Sequence, residues 1–207
     1  FAVYGHQEAA KMAYFGLYAL QHRGQESTGI VASDGKRISE HKSMGLVPEV
    51  FTEEILNRLP GHIALGHVRY STTGSSLLIN AQPFRVHYSG QSFAVAHNGN
   101  ILNARQIRSE LEESGSIFQT TMDSEVVLHL IARHFRMGLE QAMIQTMMRM
   151  RGAYSMVVMT EKGLIAAKDP NGFRPLCLGR LNSGYVVASE TCALDLVEAE
   201  FIREIEP

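Results

Sequence analysis

Residues 152–189 read GAYSMVVMTEKGLIAAKDPNGFRPLCLGRLNSGYVVAS, and this stretch decides the fold. Its apolar residues fall into short runs, 153–159, 164–168, 176–179 and 185–189, each of strand length. Between them stand Glu161-Lys162-Gly163, Asp169-Pro170-Asn171-Gly172 and Asn182-Ser183-Gly184, turn clusters too short to hold a crossover helix. Strands joined this closely pair antiparallel. Upstream the period is helical. Asn103 reads as the cap of a helix carrying Ile107 and Leu111, stopped by Gly115. A second starts at Asp123 or Ser124, carries Val127, Leu130, Ile131 and His134, and ends near Gly138. A third runs to about Met150, with Met143, Met147 and Met150 as a core stripe.

The first hundred residues repeat this grouping. Ala9, Met12, Ala13, Gly16, Leu17 and Leu20 share one helix face over residues 8–20. Thr28–Ser33 and Lys36–Lys42 read as strands joined by an Asp34-Gly35 hairpin, residues 50–59 as a short helix, and His62–Tyr70 as a strand. Phe93–His97 is another strand, ending in an Asn98-Gly99-Asn100 turn signal. Strands and helices in separate groups give an α+β fold. A short helix near 192–198 follows the last strands, and Phe201-Ile-Arg-Glu-Ile-Glu-Pro207 reads as entry into a further strand. With Phe1 in place of an initiator Met, both ends read as cuts in a longer protein.

Composition excludes several classes. With 207 residues, 45% hydrophobic and 19% charged, the chain can build a core, and disorder is ruled out. No apolar run approaches the ~18 residues of a membrane span. A net charge of −2 leaves no basic footprint for nucleic acid. Two cysteines, Cys177 and Cys192, are too few for a disulfide framework, so a reducing cytoplasmic setting is expected. Cys192, near a helix start but without a base partner, reads as a buried thiol. Nine histidines form no metal-ligand cluster, His129 and His134 being five apart, so no metal site is expected in this chain.

Three polar segments resist a purely structural reading. Leu20-Gln-His-Arg-Gly-Gln-Glu-Ser27 separates an apolar helix from an apolar strand. Gly66-His-Val-Arg-Tyr-Ser-Thr-Thr-Gly74 puts a basic residue in an apolar strand, which is costly unless an anion meets it. In Ala96-His-Asn-Gly-Asn100, Asn98-Gly99 reads alone as a hairpin turn; equally, an amide donor beside a backbone N–H open to close approach is what an oxyanion hole requires. Asp123 serves equally as a helix cap or as a partner for a ligand ammonium. Together, an arginine for a carboxylate, an aspartate for an ammonium and donors for a carbonyl oxygen describe an α-amino acid with an amide side chain. No nucleophile accompanies them.

These segments, with Met122-Asp-Ser-Glu125, Arg151-Gly-Ala-Tyr154, Asp169-Pro-Asn-Gly-Phe-Arg-Pro-Leu176 and Ala188-Ser-Glu-Thr-Cys192, stand in one order along the chain. In that order the chain resembles, over its whole length, the glutaminase domain of the glutamine phosphoribosylpyrophosphate amidotransferase family, among the N-terminal-nucleophile amidotransferases. The resemblance implies a four-layer αββα sandwich of two antiparallel sheets flanked by helices. It implies hydrolysis of glutamine through a thioester on an N-terminal cysteine, whose own amine is the base. Residues 1–207 are then this domain without its first few residues: family chains begin Cys-Gly-Ile/Val and then Phe, which places the nucleophilic Cys upstream of Phe1.

By the same resemblance Arg69 and Thr72 hold the glutamine carboxylate and Asp123 its ammonium. Asn98 and Gly99 form the oxyanion hole, and Arg23 lies close to the nucleophile. A C-terminal phosphoribosyltransferase domain, absent from this chain, would use the ammonia on phosphoribosyl pyrophosphate to make phosphoribosylamine for purine biosynthesis. It would carry the family's magnesium site and most ligands of the iron–sulfur cluster found in some members. The full-length protein is expected to be a homo-oligomer. Two alternatives remain: the glutaminase domain of another amidotransferase of this class, and a glutamine-binding module without its cysteine.

Overall fold

Alternation along the strands builds three apolar layers. The computed structural model describes residues 1–70, 77–182 and 184–207. In chain order the elements are β1 (Ala2–Tyr4), α1 (Ala9–Ala19), β2 (Ser27–Ser33), β3 (Ile38–Met44), α2 (Val47–Val50), α3 (Glu53–Asn57) and β4 (Ile63–Arg69). Then come β5 (Phe84–Tyr88), β6 (Gln91–Ile101), α4 (Ala104–Glu113), α5 (Ser124–His134) and α6 (Leu139–Arg149). The last are β7 (Gly152–Thr160), β8 (Leu164–Lys168), β9 (Cys177–Leu181), β10 (Gly184–Ala188), α7 (Cys192–Leu196) and β11 (Glu200–Glu204). One sheet has the order β11-β9-β10-β1-β4-β2-β3 and the other β5-β6-β7-β8, every pairing antiparallel.

Within β2, Ile30 and Ala32 pack outward beneath α1, in one cluster with Ala13, Leu17 and Leu194 of α7. Val31, between them, points the other way and meets Ile63, Leu65, Ala94 and Val157 in the layer between the sheets. In the second sheet, Phe93 and Val95 of β6 and Tyr154, Met156 and Val158 of β7 face α4, α5 and α6. The order is helix, sheet, sheet, helix, as the sequence resemblance implied. Each large side chain fully buried in these layers stabilises the fold by ~1.5–3 kcal/mol. The helix α1 rides close on β4 because Gly66 has no side chain: a Cβ there would come 2.7 Å from Leu17 Cδ1.

Four local expectations change. The strand from Phe93 does not turn at Asn98-Gly99; β6 continues to Ile101, and the turn signal yields to pairing with β7 as far as Ile101↔Gly152. Asn103 accepts no capping bond from α4; its side chain instead ties Arg149 O and Arg151 N to the start of that helix, at 2.9 Å each. The helix expected over 50–59 is two short pieces, α2 and α3. Cys192 is exposed, where a buried thiol was expected, and Cys177 is the buried one. Among the described residues no helix is long and apolar enough to cross a membrane, and no three His, Cys, Asp or Glu side chains gather as a metal site.

Candidate active site

A cavity of about 350 Å³ is lined by β4 of one sheet and by β6 and β7 of the other. Its walls bring together Phe1, Arg23, Arg69, Asn98, Gly99 and Asp123 from five distant parts of the sequence. Thr72, the expected second carboxylate ligand, lies outside the described residues.

The chain start forms one wall. The Phe1 amine donates to Gly66 O at 3.1 Å, and Gly66 N donates back to Phe1 O at 2.8 Å, continuing the β1–β4 ladder. The amine is buried, and that desolvation, aided by the Arg23 guanidinium, lowers its pKa from 8.0 to about 5. At pH 7 the Phe1 amine is neutral.

Arg69 ends β4 with 3% of its surface exposed. The anion that its burial demands is partly internal: Nη1 pairs with Glu26, and Nη2 donates to Met122 Sδ at 3.4 Å. The residue after Met122 is Asp123, so the expected carboxylate and ammonium ligands stand side by side. Glu26 lies inside a segment singled out from the sequence, but nothing there pairs it with Arg69.

Asp123 does not cap α5. Its side chain makes no capping bond, and Oδ2 accepts from Ile101 N at 2.9 Å. Its other oxygen accepts from Ser124 Oγ at 3.3 Å, and Ser124 Oγ in turn takes the proton of His97 Nδ1 at 2.8 Å. Gln82 holds the His97 backbone at both ends, Nε2 donating to its carbonyl at 3.1 Å and Oε1 accepting from its N–H at 2.7 Å. Burial pushes the His97 imidazole down, against the pull of Asp123. His67 donates from Nε2 to His97 O at 3.2 Å, and burial lowers its pKa from 6.5 to about 3. Both imidazoles line the cavity and are kept neutral by burial, and no sequence spacing marks them as a pair.

Asn98 sits in β6 opposite Ser155, half-buried, and among the described residues its side-chain amide has no hydrogen-bond partner. Gly99 follows with φ +143°, and a Cβ there would lie 2.0 Å from Ala153 O. The close approach to β7, not a turn, is what requires glycine. Arg174, from the loop after β8, reaches the same cavity. Arg23, in a single 3₁₀ turn after α1, pairs through Nη1 with Glu190, which also accepts from His22 Nε2 at 2.9 Å. Glu190 and Arg174 belong to segments quoted for the resemblance, without a role read for either. Partial desolvation and the neighbouring Glu190 carboxylate push the Cys192 thiol up, so its helix start does not make it a nucleophile.

Comparison with known proteins gives the following. A family model described as "Glutamine amidotransferase domain" matches residues 67–196. The chain is similar to amidophosphoribosyltransferase of Bacillus subtilis, 49% identical over 209 residues that take in 100% of this chain and 44% of that protein. It is 53% identical to the chloroplastic amidophosphoribosyltransferase 2 of Arabidopsis thaliana, over 99% of this chain and 37% of that one. With the solved structure of B. subtilis glutamine phosphoribosylpyrophosphate amidotransferase in complex with ADP and GMP it shares a TM-score of 0.94 at 47% identity, covering 100% of this chain and 45% of that one. A structure described as the allosteric regulatory enzyme of purine biosynthesis gives 0.96 at 47% identity, over 100% and 44% of the two chains. The chain thus spans less than half the length of these relatives.

Proposed function

The chain belongs to the glutamine amidotransferase domain family, and from that premise we propose that it is the glutamine-hydrolysing domain of an amidophosphoribosyltransferase. The observation that carries this reading is the unpartnered Asn98 amide, facing one cavity with Arg69 and Asp123. Glutamine enters with its carboxylate toward Arg69 and the Thr72 hydroxyl, and its ammonium toward Asp123. The side-chain carbonyl then lies against Asn98 Nδ2 and Gly99 N–H, donors that gain strength as the oxygen becomes an oxyanion.

The nucleophile is a cysteine thiol three residues ahead of Phe1. Continuing the β1–β4 register, in which Ala2 faces Leu65, brings that residue opposite Arg69, over the cavity. The thiol sulfur attacks the amide carbon, and its proton passes through the cysteine's own neutral amine to the leaving nitrogen, which departs as ammonia. Water then cleaves the thioester, releasing glutamate and restoring the thiol. The ammonia is used in the remainder of the full-length polypeptide, where it displaces pyrophosphate from C1 of phosphoribosyl pyrophosphate to give phosphoribosylamine, a step of purine biosynthesis. Magnesium and any iron–sulfur cluster belong to that remainder.

Three versions of the chain test this: one beginning at Phe1, one with Cys-Gly-Val ahead of it and a free cysteine amine, and one with Ser-Gly-Val. Glutamate release without any phosphoribosyl acceptor is expected from the cysteine version alone, because a serine hydroxyl is a far weaker nucleophile near neutral pH. Equal activity from the Phe1 version would put the nucleophile elsewhere and overturn the mechanism. A folded cysteine version that binds glutamine but never turns it over would favour a binding module.

A further inference from the structure

The Ala188–Cys192 segment reaches the cavity through Ser189, and the function above gives it no work. Glu190 stands there between β10 and α7, one-third exposed. Its two carboxylate oxygens are divided between neighbouring residues of the turn after α1: Oε1 takes Arg23 Nη1, and Oε2 takes His22 Nε2 at 2.9 Å. His22 is itself anchored, its Nδ1 lying 3.1 Å from Ala19 O. Arg23 therefore reaches the cavity as a guanidinium tied at one edge, with its remaining N–H groups directed by that tie. The pairing joins residues 167 apart in sequence, and of the two Arg23 lines the cavity.

We propose that Glu190 is a positioning residue, holding the Arg23 guanidinium beside the nucleophilic end of the chain. This rests on the glutamine-hydrolysing reading above. A guanidinium fixed there favours two things the reaction needs: a thiolate over a thiol, and a neutral terminal amine over an ammonium. A guanidinium free to swing into solvent would do neither well. Four charged or titratable groups surround this corner. Arg23 and His22 come from the turn, Cys192 from α7 with its thiol 3.6 Å from Glu190 Oε2, and buried Cys177 from β9. Of these, Arg23 is the cation that donates to the Glu190 carboxylate, so the carboxylate both orients Arg23 and offsets part of its charge.

The test uses the full-length protein with its upstream cysteine, measuring glutamate release against glutamine concentration and pH. Glu190→Ala is expected to lower kcat about 10- to 100-fold with KM changed less than threefold, since Arg23 acts at the nucleophile and not at the ends of glutamine. Arg23→Ala should lose as much, and the double variant no more than either single one, because both act through one contact. Glu190→Gln keeps an acceptor for Arg23 but removes the charge. Its plateau kcat should stay within about fivefold, while the acidic limb of the rate profile moves to lower pH by half a unit or more, as the uncompensated guanidinium lowers the amine's pKa further.

An active wild type with an unimpaired Glu190→Ala variant overturns the positioning role, as do losses that add in the double variant. Should Glu190→Ala fail to fold, an unmoved acidic limb in Glu190→Gln overturns it equally. A wild type that releases no glutamate sinks the glutaminase reading instead, so the two failures are distinct.

Discussion

Replacing Asp123 with asparagine separates a ligand-binding role from a structural one. The side chain is 9% exposed, so bulk water screens its charge poorly and an ammonium bound there gains a charge-assisted hydrogen bond. Such a bond contributes ~1.5–3 kcal/mol, and with ~1.4 kcal/mol per tenfold the substitution should weaken glutamine ~10- to 150-fold. The fold should scarcely notice. Asparagine retains an oxygen for the Ile101 N–H that Asp123 Oδ2 now accepts at 2.9 Å. No capping bond to α5 exists to be lost, so the ~1 kcal/mol penalty of a removed cap does not apply. The assay is the KM for glutamine in glutamate release by the cysteine-bearing protein, with calorimetric Tm measured on the same samples. A raised KM with Tm within about 3 °C is expected. An unchanged KM with a Tm several degrees lower would refute the reasoning and make Asp123 a structural residue of the α5 start.

Asn98→Ala should lower kcat by ~10²–10³ with little change in KM, the signature of a donor that acts on the developing oxyanion; steady-state kinetics decide, and an undiminished kcat removes Asn98 from the mechanism. Gly99→Ala combines a φ of +143° with a Cβ 2.0 Å from Ala153 O, so a loss of about 3 kcal/mol and a Tm lower by about 6–12 °C are expected. Glu125, which accepts at 2.7 Å from Gln119 N, Thr120 N and Thr120 Oγ1, has its pKa lowered from 4.5 to about 2, because these donors and the His129 imidazole 3.9 Å away outweigh its desolvation. Its stabilisation is complete above the unfolded pKa and is lost as pH falls from about 5 towards 2. Urea midpoints across that range should fall more steeply for the wild type than for Glu125→Gln, which should itself be weaker at pH 7 by ~1.5–3 kcal/mol.

The long periodic segments were legible because one rule governed each. The stretch 152–189 has strand-length runs cut by glycine-bearing turns, and the structure returns β7 to β10 within a residue or two of those runs. β1 was invisible, since Ala2–Tyr4 is too short to show a period and is a strand only because β4 and β10 lie on either side. Asn98-Gly99 was misread for a related reason: an Asn-Gly pair favours a turn only until a neighbouring strand claims its backbone, and β7 does. Site residues whose chemistry is intrinsic, an arginine in an apolar strand or an amide beside a glycine, could be read from the segment alone. Glu26, Glu190, Gln82 and the two imidazoles matter only through partners brought close by folding, and no spacing announces that.

The position of β1 in its sheet has a consequence for synthesis of the chain. It is held on one side by β4, about 60 residues on, and on the other by β10, whose register pairs Ala2 with Val187. As the chain leaves the ribosome, its first residues wait for almost the whole domain before their second flank arrives. The cavity shares that delay, since its walls draw on Phe1 at one extreme and Ser189 at the other. Pairings of such long sequence separation form late in folding. Partly made or clipped chains therefore lack a complete cavity, and a site assembled in this way stays silent until the domain around it is whole.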